Sequence, residues 1–291
     1  MTDAAEKAAA QEALAAAPFG TYALSGAAAA ARSIAGAAPV GFIGKQARSI
    51  AFRVADGKAK RPRDVEVFPG QKARLHPYDN ICEKRVFIAP QLWDPAERGR
   101  IARAAAETAR PDFIFLDVGA NVGLYTLFAR SAAQAAGKAF RAACVEPAIT
   151  VRERLRTNME ASGATDDVAV FGWAATSAPA ELKLVMTARN RGETRVADAG
   201  EGGETVTVPG RPLTEVLAAT GFPRVDAMKI DVEGHELEAF KGLYEVGDPA
   251  LFPRLVVMEQ KRGGPDDALD YLLAKGYKIE LQTKMNAVLI L

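Results

Sequence analysis

Two periodicities alternate along most of this chain. An unbroken apolar run over residues 113–116 ends in Asp117, the pattern of a short strand buried on both faces. From Val122 onward, apolar residues recur at helical spacing through Leu124, Leu127 and Phe128, so a strand leads through a glycine turn into a helix. The alternation then repeats: a strand over 141–147, a helix over 149–161 stopping near Gly163, and a third strand over 168–174. Residues 225–231 and 254–260 read as further strands, separated by a helix that closes at Gly242. After a helix over 265–275, the strands at 277–283 and 287–291 form an antiparallel hairpin. Strands alternating with helices predict an α/β domain over 111–291, a seven-stranded sheet with helices on both faces and an antiparallel last strand. Residues 181–187 and 204–208 read as a separate hairpin, and their long polar connection, 188–203, is expected to be a lid.

The first 110 residues follow other rules. Residues 1–60 are rich in Ala, expected to be frayed to residue 17 and helical, weakly packed, over 21–55. The apolar stretch at 29–38 is interrupted by Arg32 and is too short to span a membrane. Asp3 and Glu6 stand where a secretory signal would want only positive charge. Seven basic residues and one acid, Asp56, fall between Lys45 and Arg63, which reads as a solvated helix face leading into a linker. Alternation around Pro69-Gly70 predicts two short strands in a cap spanning 61–110. His76 beside that turn is expected to be structural or solvated. A helix over 94–109 should start with Asp94 as N-cap and Pro95 in its first position.

Composition narrows the function. The 291 residues are 49% hydrophobic with a formal charge of +1, which offers no argument for a nucleic-acid partner. Two histidines exclude a His-rich metal site, and no metal ligands are assigned. Cys82 and Cys144 lie far apart, with Cys144 in a buried strand, so no disulfide and a cytoplasmic setting are expected.

The candidate chemistry lies at strand ends. Gly119 permits a tight turn and Gly123 a close approach after the strand ending at Asp117. A dinucleotide fingerprint would place glycines at 121 and 124, where this chain has Asn and Leu. The pattern Asp117-x-Gly119-x-Asn121-x-Gly123 resembles instead the first motif of class I S-adenosylmethionine-dependent methyltransferases. In that likeness the turn's N–H groups face the cofactor carboxylate and Asp117 lends negative potential to the cationic end. Glu146, 23 residues past Gly123, is placed to accept ribose hydroxyls. Trp173, near the third strand's end, is a candidate for the adenine pocket or for the core. Asp231, Glu233 and His235 follow another strand end, while Glu236 has the spacing of a helix cap and Glu238 that of a solvated face.

Together, Leu116-Asp-Val-Gly-Ala-Asn-Val-Gly123, Val145-Glu-Pro147 and Lys229-Ile-Asp-Val-Glu-Gly-His-Glu236 resemble the FkbM family of methyltransferases over roughly residues 75–262. Val257-Met-Glu259 is also similar to the family pattern, where an acid commonly closes that strand. The resemblance implies a class I Rossmann-like methyltransferase fold, S-adenosylmethionine as methyl donor, and a hydroxyl acceptor on a sugar, glycan or polyketide-like metabolite. His235 is the first candidate base and Asp231 the alternative, with Glu233 orienting the base or the acceptor; Asp231 also borders the cofactor. A nicotinamide-dependent oxidoreductase and a non-catalytic cofactor-binding protein are the competing readings. Oligomeric state is left open.

Overall fold

The computed structural model describes residues 17–56, 61–186, 194–196, 205–260 and 266–291. The expected frayed start at 1–16 and most of the expected lid at 188–203 lie outside these residues. No helix among them is long and apolar enough to cross a membrane. The chain divides into two compact units.

One unit comprises Met1–Trp93 with Arg156–Gly163. Pro39 splits the predicted N-terminal helix into α1 (Gly26–Ala37) and α2 (Phe42–Ala55), because a proline forces its predecessor Ala38 into extended backbone (ψ 137°). Two strands, β1 (Arg63–Phe68) and β2 (Gln71–Leu75), pair antiparallel about the Pro-Gly turn, as the alternation predicts. Their pairing is reinforced by a buried ion pair, Arg74 Nε to Asp64 Oδ1 at 2.7 Å, and Asp64 also accepts the N–H groups of Gly20 and Tyr22. Helix α3 (Ile81–Ile88) starts at Asn80, whose side chain accepts the Glu83 N–H. His76 is buried here, its backbone N–H on Glu83 and its Nδ1 3.1 Å from the Tyr78 hydroxyl.

The other unit comprises Asp94–Leu155 and Ala164–Leu291. It begins with α4 (Pro95–Glu107), which the sequence reading grouped with the N-terminal cap. The helix sits in this unit because Glu97 accepts bonds from Thr283 and Asn286, Arg98 lies over the Phe128 ring at 4.7 Å, and Arg100 pairs with Glu280. Asp94 does not cap it. Its backbone is left-handed (φ 41°) and its carboxylate accepts instead from the Tyr125 hydroxyl at 2.9 Å.

Strand β3 (Asp112–Val118) is wholly enclosed from Phe113 to Leu116, each residue at 0% exposure. Burying each such side chain contributes on the order of 1.5–3 kcal/mol, which explains the missing polar alternation. It is followed by α5 (Leu124–Ala135), β4 (Ala139–Val145), α6 (Ile149–Ala161) and β5 (Val168–Phe171). A short β6 (Ala174–Ala175) leads to β7 (Ala180–Met186), β8 (Thr194–Val196) and β9 (Thr205–Arg211). These four form a separate sheet in which β7 pairs antiparallel with β9 as predicted, and with β8, the one described piece of the 188–203 connection. The chain continues through α7 (Leu213–Thr220), β10 (Ala227–Ile230), α8 (Glu236–Tyr244), β11 (Leu255–Glu259), α9 (Asp267–Ala274), β12 (Lys278–Gln282) and β13 (Asn286–Ile290).

The main sheet has seven strands in the order β12-β13-β11-β10-β3-β4-β5; β13 pairs antiparallel with both β12 and β11, and the remaining pairs are parallel. This is the expected seven-stranded α/β fold. Ile114, Leu116 and Val118 of β3 join one core with Leu213 and Leu217 of α7 and Phe240 and Leu243 of α8. Arg224 ties the sheet's amino end, bonding Asp112 and Asp226, while Asp226 accepts the Ile114 N–H. The carboxyl ends of β3, β4, β10 and β11 are thereby left side by side at the opposite edge.

Candidate functional site

At the carboxyl end of β3 the chain turns sharply. Gly119 sits at φ +72°, and a Cβ there would come 1.8 Å from the Asp231 carbonyl oxygen. The two sequence motifs thus touch through their backbones, and Asp231 N–H donates to Val118 O at 3.0 Å. Asn121 is also left-handed (φ 51°), an angle that asparagine tolerates better than most residues.

The turn departs from its expected role in one respect. Gly119 and Ala120 N–H donate to Val145 O, Asn121 N–H to Glu146 Oε2, Val122 N–H to the Asn121 side chain and Gly123 N–H to Ala120 O. Three of these donors hold the turn against the end of β4 and two close it on itself, so each already has an acceptor other than a cofactor carboxylate. A tight turn has too few acceptors of its own and takes the rest from the adjoining strand end.

Asp117 is 1% exposed, and its Oδ2 accepts both the backbone N–H and the hydroxyl of Thr126, at 3.1 and 2.6 Å. It captures an orphan donor at the start of α5. Burial raises its pKa to about 6, against the lowering pull of Thr126 and Lys229. Cys144, also enclosed, lies 3.1 Å from the Thr126 hydroxyl, and burial pushes its thiol well up.

Glu146 ends β4 and is 6% exposed. Its two oxygens accept the N–H groups of Asn121 and Ala148, both at 2.9 Å, which orients the carboxylate. Burial still dominates and raises its pKa to about 7. Two hydrogen bonds occupy half of a carboxylate's acceptor capacity, so the group can accept further hydroxyls. Trp173 is half-buried, 4.8 Å from Phe171 between ring centroids, and packs on the core beside β5.

The second motif and the end of β11 together supply an acid cluster. Asp231, Glu233 and Glu259 each offer a carboxylate oxygen within 4.8 Å of the others, a donor set of the kind that suits a hard divalent cation. Lys229, 3% exposed, extends its ammonium to within 3.4 Å of Asp231 Oδ2 and 3.0 Å of the Ile230 carbonyl. Its ammonium also lies 5.4 Å from the Tyr125 ring centre, and Tyr125 leads on to Asp94. Burial, and then the charge of Asp231, raises Glu259 to about 8. The cluster therefore meets its negative charge with a buried lysine and a retained proton.

Glu233 is exposed with strained backbone, φ 53°. His235 precedes α8, and its Nδ1 is buried without a partner among the described residues. Glu236 accepts the Val232 and Gly234 N–H groups, so it is the acid that secures this turn. Glu238 bonds Ser177 and Lys241, which hold its pKa down.

The structure brings Gly119, Asn121, Gly123, Glu146, Asp231, Glu233 and His235 to one edge of one sheet, with Asp117 enclosed behind the turn. Sequence reasoning left Glu259, Lys229 and Tyr125 out of the site. Glu259 had a signal, an acid closing a strand. Lys229 and Tyr125 had none, because a strand lysine and a helix tyrosine read as ordinary framework until their neighbours are known.

Comparison with known proteins gives the chain a family. Residues 117–279 match the family described as the methyltransferase FkbM domain. The chain is 26% identical over 219 residues to the AMB antimetabolite synthetase AmbE of Pseudomonas aeruginosa, matching 62% of this chain and 10% of that protein. It is 29% identical over 188 residues to the hexuronic acid methyltransferase AglP of Haloferax volcanii, across 64% of this chain and 72% of that one. The chain thus spans about a tenth of the first relative and under three quarters of the second. Among solved structures, an FkbM methyltransferase from Methylobacillus flagellatus aligns over 72% of this chain and 54% of its own, at 16% identity and a TM-score of 0.44.

Proposed function

We propose, from the premise that this chain belongs to the FkbM methyltransferase family, that it transfers a methyl group from S-adenosylmethionine to a hydroxyl oxygen of a sugar, glycan or polyketide-like metabolite. The observation that carries this reading is the meeting of the Gly119 turn with Asp231. It sets an oriented acceptor carboxylate, Glu146, beside a strand end bearing Asp231, Glu233 and His235. The donor set fits the cofactor: Glu146 would accept its ribose hydroxyls, Trp173 would flank its adenine, and the carboxylates would offset its positive charge. Asp117 acts from behind by holding the start of α5.

When bound, the cofactor supplies a methyl group already activated on a sulfonium. The protein's tasks are then to align the acceptor oxygen and to take its proton as the bond forms. His235 is the first candidate for the proton. With Nδ1 enclosed, Nε2 is the nitrogen left to receive it. Asp231, its side chain 41% exposed and paired with Lys229, is the rival; Glu233 orients the acceptor. The hexuronic acid named for the AglP relative supports a sugar acceptor. Cys82 and Cys144, neither of them in a disulfide, suit a cytoplasmic setting, and nothing in the reading calls for a nucleic-acid partner.

The test uses purified protein, S-adenosylmethionine and a panel of hexuronic acids and oligosaccharides, with product detected by mass spectrometry. His235→Ala should lower turnover by about 10² to 10⁴ and leave S-adenosylhomocysteine affinity nearly intact. Asp231→Asn abolishing turnover while His235→Ala does not would make Asp231 the base. Binding of NADH in place of S-adenosylhomocysteine would overturn the reading.

A further inference from the structure

The α1–α2 hairpin exposes more large apolar side chains than any comparable stretch of the described residues. Val40 is 82% exposed, Ile43 78%, Phe42 76%, Ile34 62%, Ile50 60% and Val54 52%. Ile43, Ala47, Ile50 and Val54 stand at spacings of four, three and four, so they share one stripe of α2. The core-facing side of that helix is a different one, carried by Gly44, Ala51 and Ala55.

This apolar tip is built rather than frayed. A Cβ on Gly44 would come 1.6 Å from the Pro39 carbonyl oxygen, so α2 abuts the connection directly. The Arg48 guanidinium then donates to the carbonyls of Ala38 and Pro39, both at 3.1 Å. Phe52, on the inner side, meets Phe87 edge-on at 6.2 Å. The hairpin therefore holds Val40, Phe42 and Ile43 at a fixed turn facing solvent.

Charge within the hairpin's own sequence has one sign. No acid occurs from Ala13 to Ala55, while Arg32, Lys45, Arg48 and Arg53 do. Asp56, next in the chain, is buried and bonded to Arg63. Arg32 and Arg48 spend their donors inside the unit, but Lys45 and Arg53 are exposed beside the apolar stripe. An uncharged apolar tip flanked by exposed bases, with no acid in either helix, complements an anionic lipid surface.

We propose that the α1–α2 hairpin is a peripheral membrane-docking element, seating Val40, Phe42, Ile43, Ile50 and Val54 at the acyl boundary of an anionic bilayer while Lys45 and Arg53 meet its headgroups. The proposal does not depend on the methyltransferase reading.

The test is co-sedimentation of the full chain with vesicles of phosphatidylcholine alone or mixed with phosphatidylglycerol. The expected result is pelleting with the anionic vesicles, weakened as salt rises from about 0.1 M to about 0.5 M. Phe42→Ser with Ile43→Ser should lower partitioning by about tenfold or more, and Lys45→Gln with Arg53→Gln by about thirtyfold. All four side chains are exposed, so thermal melting should stay unchanged in both variants. Absence of pelleting, equal pelleting with neutral vesicles, or full binding by the apolar variant each overturns the proposal. So does concentration-dependent dimerisation, seen by light scattering, that the apolar variant abolishes without any vesicle binding; the face would then serve a second copy of the chain.

Discussion

Replacing Glu146 by Gln should remove a specific pH dependence from the stability of the cofactor-free protein. Burial raises this carboxyl from its ordinary 4.5 to about 7, so the folded state keeps a proton that the unfolded chain has released. The sign follows: stability is greatest below about pH 4.5, falls as pH rises, and levels off above about 7. The 2.5-unit difference corresponds to about 3 kcal/mol. In Glu146→Gln the carbonyl keeps one of the two bonds from Asn121 and Ala148, while the amide NH₂ confronts the other N–H, a loss of about 1–3 kcal/mol at every pH. Urea titrations at pH 5 and pH 8 should then show wild-type stability dropping by about 2–3 kcal/mol more than the variant's. Binding provides a second arm. Ribose hydroxyls donate best to the ionised carboxylate, so S-adenosylhomocysteine should release protons near pH 7, measured by calorimetry in buffers of different ionisation enthalpy. The variant should bind it about 10- to 100-fold more weakly, the worth of a charged hydrogen bond. Equal pH slopes for the two proteins would refute the burial argument. Equal affinities would refute the ribose assignment.

Other perturbations test separate contacts. Gly119→Ala places a Cβ against the Asp231 carbonyl at a left-handed residue and should cost roughly 3 kcal/mol or more, read as a fall in melting temperature. Asp231→Asn removes the charge that raises Glu259, so the Glu259 carboxyl resonance should titrate at lower pH in carbon-detected NMR; an unmoved titration would mean that burial alone sets it. Thr126→Val strips one donor from buried Asp117 and should cost about 1–3 kcal/mol in chemical denaturation while leaving S-adenosylhomocysteine affinity within a few fold.

Much of this molecule was legible in the chain because burial writes itself into local pattern. The run 113–116 has no polar alternation because both faces of β3 are covered, and the Gly119 turn and the acid at 146 follow at spacings set by one strand and one helix. The antiparallel last strand was readable from a hairpin, which is a local event. Even the hidden state of Cys144 followed from its place in an apolar strand.

What the chain alone did not decide depends on neighbours far away in sequence. Three of the turn donors expected to face a cofactor are taken by Val145 and Glu146, acceptors that only the β3–β4 pairing brings near. Asp94, placed as a helix cap, turns to Tyr125, 31 residues on, because its own backbone is left-handed. Glu259 joins Asp231 only because β11 lies beside β10 in parallel register, and Lys229 joins them from within the same strand because its long side chain reaches the strand's carboxyl end. Local propensity selects elements, since each is stabilised by its own backbone bonds and its own apolar face. The identity of a site's partners, and the protonation of its buried acids, is set by the order in which the sheet assembles those elements and by the water it excludes.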